Sequence, residues 1–177
     1  MVNIKNKNYS VIAKCLHWII GISIILMIFF GFLMSLASGS TRVNLYTLHK
    51  SIGLTILIFM IIRVIWRIIK TPPPLPKIIK AWGKAAAHIS HLALYLLAFI
   101  MPISGWIMTT ASNHIPDFWW WFKLPYPLSG VNYKLAGFAN SLHAVIAWVL
   151  VGFICVHILA ALKHHFINKD DVLKRML

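Results

Sequence analysis

SLHAVIAWVLVGFICVHILAA, residues 141–161, carries no charged side chain and two histidines, His143 and His157. A helix needs roughly 20 mostly apolar residues to cross the hydrocarbon core of a bilayer, about 30 Å thick, and this stretch has that length. Ionisable side chains are expensive at such depth and by default functional. At 1.5 Å and 100° per residue, the step from His143 to His157 advances about 21 Å along the axis and returns to within roughly 40° of the same face. One helix thus offers two imidazoles on one side, one toward each membrane surface.

Three more stretches have the same character, so the spans are expected at residues 11–37, 45–66, 86–110 and 141–161. They fill most of the 177 residues. Composition agrees: 60% of residues are apolar, 11% are charged and the mean hydropathy is +0.80. A soluble domain has about 25% charged residues. The expected fold is therefore all-α, a single transmembrane domain built as a four-helix bundle. The links are SGSTRVN (38–44), the basic proline-rich RIIKTPPPLPKIIKAWGK (67–84) and the aromatic NHIPDFWWWFKLPYPLSGVNYKLAGF (113–138). Trp119, Trp120 and Trp121 suit an interfacial belt or a cap over one mouth of the bundle. Pro102 and Gly105, in MPISGW, predict a bend in the third helix, because proline removes a ladder hydrogen bond.

The net charge of +14 comes from 17 Lys and Arg against three acids, Asp117, Asp170 and Asp171. Nucleic-acid binding would need a basic face on a soluble fold, whereas these cations flank apolar runs. Lys5, Lys7 and Lys14 precede or open the first span; Arg67, Lys70, Lys77, Lys80 and Lys84 fill the middle link, with Arg63 one helical turn before it; Lys163, Lys169, Lys174 and Arg175 follow the last span. The opposite side has only Arg42, Lys50, Lys123 and Lys134. Positive residues stay inside, so both termini are expected in the cytoplasm. The first apolar run is longer than the core of a signal peptide and reads as a retained helix. Cys15 and Cys155 lie within apolar segments and suggest no disulfide framework.

In an antiparallel bundle, His17 near the start of the first helix shares the cytoplasmic half with His157. His49, early in the second, shares the outer half with His143. Two depth-matched pairs result. Neutral imidazole is the natural axial donor to haem iron. Zinc is disfavoured, because the pairs are too far apart to make one four-ligand site and no thiolate or carboxylate completes either. With no C-x-x-C-H, the haem would be non-covalent and b-type. The plainer alternative is that these histidines are interhelical hydrogen-bonding or interfacial groups.

His17-Trp18, His49, the H-x-x-H of His88 and His91, then His143, His157 and the pair His164-His165 follow one another in an order and spacing that resembles the bacterial cytochrome b561 family. The resemblance covers nearly the whole chain. It implies a four-helix inner-membrane protein with two haem b groups, the cytoplasmic-side one held by His17 and His157 and the outer one by His49 and His143. The eukaryotic relatives, with six helices, look less similar. His88 and His91 share a helix face; a structural role is the ordinary reading, and replacement of His157 by His91 as a ligand is the alternative. Arg42, Lys50, Lys14 and Arg67, with Lys84, Lys123 and Lys134, are candidate partners for haem propionates. His164, Lys84 and His91 are candidate quinone contacts, and His114 reads as a surface residue. Gly21, Gly53 and Gly152 permit close approach of a macrocycle or of another helix.

No phosphate loop, nicotinamide site or Ser-His-Asp arrangement is present. Chemistry would then reside on the haems as one-electron transfer, because filled axial sites disfavour oxygen binding. The family resemblance implies exchange with ubiquinone and, in one member type, superoxide oxidation. A basic outer mouth suits an anionic donor. The alternative is a membrane cytochrome b subunit that relays electrons between a partner dehydrogenase or hydrogenase and the quinone pool.

Overall fold

The computed structural model describes residues 8–76, 78–114, 117–123 and 130–177. Lys5, Lys7 and Lys77 lie outside the described residues. Four long helices, each apolar enough to cross a membrane, make up the fold: α1 (Val11–Leu36), α2 (Gly39–Ile69), α3 (Ala81–Ala111) and α4 (Tyr133–Leu162). A short hairpin, β1 (Asp117–Phe118) and β2 (Phe122–Lys123), stands between α3 and α4.

Three helices run well beyond the apolar stretches that announce them. Hydropathy marks only what must sit in lipid, while a helix continues until its backbone is capped or broken. The link expected at 38–44 is mostly helix: α1 stops at Leu36, Gly39 reverses the chain at φ +57°, and α2 starts there. Ser10 caps α1 by accepting from the Ala13 amide, and Asn132 caps α4 by accepting from Leu135. The proline-rich link ends α2, since its prolines cannot donate to a helical ladder. Pro102 sits inside α3, which continues unbroken to Ala111. Neighbouring helices re-satisfy backbone freed by such a proline.

Leu16, Ile20, Ile56, Met60 and Ala98 form the buried core between α1, α2 and α3. Outward, Phe32, Ile58, Leu92 and Trp148 are 50% exposed or more, a surface that fits hydrocarbon and not water. α3 packs most extensively on α4, α1 on α2, and α2 on α3. The helix backbones of α1 and α4, and of α2 and α4, have at most marginal contact among the described residues.

The start of α1 and the C-terminal tail meet at one end of the bundle, here the terminal end, where the Tyr9 amide donates to the Arg175 carbonyl. Beyond α4, a wider π-type turn over Lys163–Ile167 leads to a tail that crosses back. Trp18 Nε1 donates to the Met176 carbonyl (2.8 Å), Lys14 Nζ to the Leu177 carbonyl, and Arg175 Nη1 to the Pro74 carbonyl (2.7 Å). The tail therefore ties α1 to the link between α2 and α3.

Candidate functional site

At the terminal end, His17 of α1 and His157 of α4 face one another with ring centres 6.1 Å apart. At the far end, His49 of α2 and His143 of α4 do the same at 6.3 Å. An imidazole nitrogen binds a first-row metal at about 2 Å, so two rings gripping one ion from opposite sides have centres about 6 Å apart. In both cases the rings bridge helices whose backbones stay apart.

The His143 ring is oriented by α3. Its Nδ1 lies 3.0 Å from the Met101 carbonyl and 3.0 Å from Ser104 Oγ. A carbonyl only accepts, so Nδ1 carries the proton and Nε2 keeps its lone pair, the tautomer a metal-ligating histidine requires. Ser104 Oγ donates to the same carbonyl at 2.8 Å. Gly105 allows this seat: a Cβ there would stand 3.1 Å from His143 Cε1 and 3.3 Å from its Nδ1. Gly31 similarly faces His49, whose Cε1 an added Cβ would meet at 3.8 Å. His49 Nδ1 is buried without a hydrogen-bond partner among the described residues.

The terminal pair has different surroundings. Arg63 Nη2 stands 3.4 Å from His17 Nδ1, while its Nη1 donates to the Ala13 carbonyl (3.1 Å) and its Nε to Tyr95 Oη (3.1 Å). His91 of α3 also faces His157, ring centres 5.7 Å apart. His157 is thus flanked by two rings, where the expectation paired it with one.

The remaining candidates separate. Lys50, next to His49, feels the carboxylate of Asp117. Arg42 stacks over Tyr46 and Arg67 over Tyr95, with guanidinium to ring-centre distances of 5.8 and 5.5 Å. Lys14 is engaged with the tail. His164 pairs with Asp170, Nδ1 to Oδ2 2.5 Å, a partnership that spacing could not announce because the π-type turn creates it. Lys84 is half-buried in the first turn of α3, and His88 is exposed. Of the glycines singled out in the sequence, Gly53 packs against Met27 and is a helix contact, whereas an added Cβ at Gly21 or Gly152 would meet open space.

The chain matches the family described as "Prokaryotic cytochrome b561" over residues 8–177. It belongs to the prokaryotic cytochrome b561 family. Among similar proteins, "Cytochrome b561 homolog 2" of Escherichia coli K12 is 40% identical over 174 residues, covering 97% of this chain and 92% of the relative. "Probable superoxide oxidase CybB" of Yersinia pestis is 30% identical over 174 residues, covering 97% of each. "Cytochrome b561 homolog 1" of E. coli K12 is 26% identical over 141 residues, covering 78% of each. A b561-family chain with four spans is a multi-pass bacterial membrane protein with an electron-transfer role. Membership implies haem b. The residues present fit such a group: facing imidazoles, an orphaned ring nitrogen at His49, and backbones that stay apart between the helices that carry the rings.

Arg63, Met101, Ser104, Gly105 and Asp170 were not among the sequence candidates. Only Arg63 left a signal that could have found it, an arginine within a membrane span.

Proposed function

We propose that this b561-family protein is a di-haem electron conduit that oxidises superoxide at its outer end and reduces ubiquinone near its cytoplasmic end. The observation that carries the reading is one helix, α4, bearing two histidines that each face a ring from another helix at metal-bridging separation. In this reading His17 and His157 hold the cytoplasmic-side haem b, and His49 and His143 the outer one. His91 is read as a neighbour of His157: α3 and α4 share the most extensive packing in the bundle, whereas the backbones of α1 and α4 have at most marginal contact. The far end is outermost: the cations gather at the terminal end, and positive residues stay inside.

The haem iron supplies a reversible one-electron couple. The chain's own residues do the rest. Met101 holds the His143 ring in one tautomer, the bundle excludes water, and Arg42, Lys50, Lys123 and Lys134 against Asp117 present a net positive mouth to an anionic donor. The printed name of the Y. pestis relative supports superoxide as that donor. Two superoxide ions lose one electron each and leave as oxygen, and those electrons with two cytoplasmic protons convert ubiquinone to ubiquinol. His164, oriented by Asp170, is the proposed quinone contact, with Lys84 and His91 beside the same end. Arg67 and Lys14 there, and Arg42 and Lys50 at the outer mouth, are the proposed propionate partners.

Absorption spectra before and after dithionite should give two haem b per chain, and stopped-flow mixing of oxidised protein with superoxide should reduce them within the dead time. A colourless preparation removes the conduit; coloured protein inert to superoxide removes the donor. Co-purification of a dehydrogenase or hydrogenase subunit would favour the relay alternative.

A further inference from the structure

Arg63 is a permanent cation inside α2, half-buried, with no carboxylate opposite it. The chain has only three acids: Asp170 pairs with His164, Asp171 with Lys174, and Asp117 lies near Lys50 at the other end. Burying an uncompensated guanidinium is costly, so its position calls for a purpose. Its Nε and Nη1 donate to Tyr95 Oη and the Ala13 carbonyl, its Nη2 lies 3.4 Å from His17 Nδ1, and Arg67 adds a second cation over the same Tyr95 ring. The guanidinium is therefore fixed beside one histidine pair and far from the other.

We propose that Arg63 is a tuning residue that raises the reduction potential of the haem held between His17 and His157 above that of the outer haem; this rests on the ligand reading above. Reduction removes one unit of positive charge from the metal site, so a nearby fixed cation destabilises the oxidised form. The outer pair is set differently: the His143 N–H donates to the Met101 carbonyl, which enriches the ring and favours the oxidised metal. Both effects act in one direction, downhill from outside to inside.

Equilibrium redox titration of the purified holoprotein tests this. Arg63→Gln should lower the midpoint of one haem component and leave the other in place, with two haems per chain retained, while Arg63→Lys, which keeps the charge, should stay near wild type. Ala13→Glu keeps Arg63 and adds a negative charge on the residue whose carbonyl Arg63 Nη1 already contacts, at the third residue of α1 where the helix dipole favours an acid. It should lower the same component, and it decides the matter if Arg63→Gln does not fold. In a His49→Ala background the surviving haem should show the drop. Unchanged midpoints in both charge variants, an equal fall in Arg63→Lys, or a drop confined to the component that His49→Ala removes would each overturn the proposal. Retention of both haems by His157→Ala would instead overturn the ligand reading, and it is read from haem content, not from potential.

Discussion

Gly105 and His143 illustrate how single residues set this site. Any side chain at Gly105 must displace the imidazole, because a Cβ would stand 3.1 Å from its Cε1 and the ring is pinned by Met101 and Ser104. Gly105→Ala should therefore lower haem content toward one per chain or broaden one component of the reduced spectrum, with the four helices preserved by circular dichroism. At the other end, Asp170→Asn leaves His164 without its charged partner. Quinone reduction should slow in that variant while reduction of the haems by the outer donor keeps its rate; equal slowing of both would take His164 out of the quinone site. The histidines were legible one by one, since each is an anomaly in an apolar run. Their hydrogen-bond partners were not, because a backbone carbonyl has no letter of its own.

Among the elements, the tryptophan hairpin shows what hydropathy misses. Trp119 and Trp120 occupy the left-handed region, φ +51° and +61°, which costs roughly 1–2 kcal/mol per non-glycine residue. Tertiary bonds hold Trp119 there. The Trp119 amide donates to Ser51 Oγ (2.8 Å) and its indole N–H to Thr55 Oγ1 (3.2 Å), while Ser51 Oγ donates to the Thr47 carbonyl (2.8 Å). Ser51 is fully buried two residues beyond His49, so this hydroxyl couples the hairpin to the outer pair. Ser51→Ala should destabilise by about 1–3 kcal/mol, the cost of leaving a buried amide unpaired. Limited proteolysis should then cut between β1 and β2 faster than in wild type. An unchanged digestion rate would show that the hairpin is held by its rings alone.

For the whole molecule, the charge distribution predicts topology. A reporter that matures only in the periplasm should stay silent when fused after Leu177 and become active when inserted near Gly130; the reverse pattern would invert the proposed direction of electron flow. Four spans and their antiparallel order follow from the sequence by itself, since every backbone polar group in hydrocarbon must be satisfied within its own helix and about 20 apolar residues are needed each time. The fourteen-residue step between His143 and His157 likewise belongs to local geometry. What only the tertiary structure decided is which helices stand apart and which touch. The close seam between α3 and α4 beside the loose ones between α1 and α4 and between α2 and α4, the second ring against His157, and the guanidinium of Arg63 beside His17 all depend on side-chain volumes summed across helices distant in sequence. Periodicity reports which face of a helix is special; it carries no record of what that face will meet.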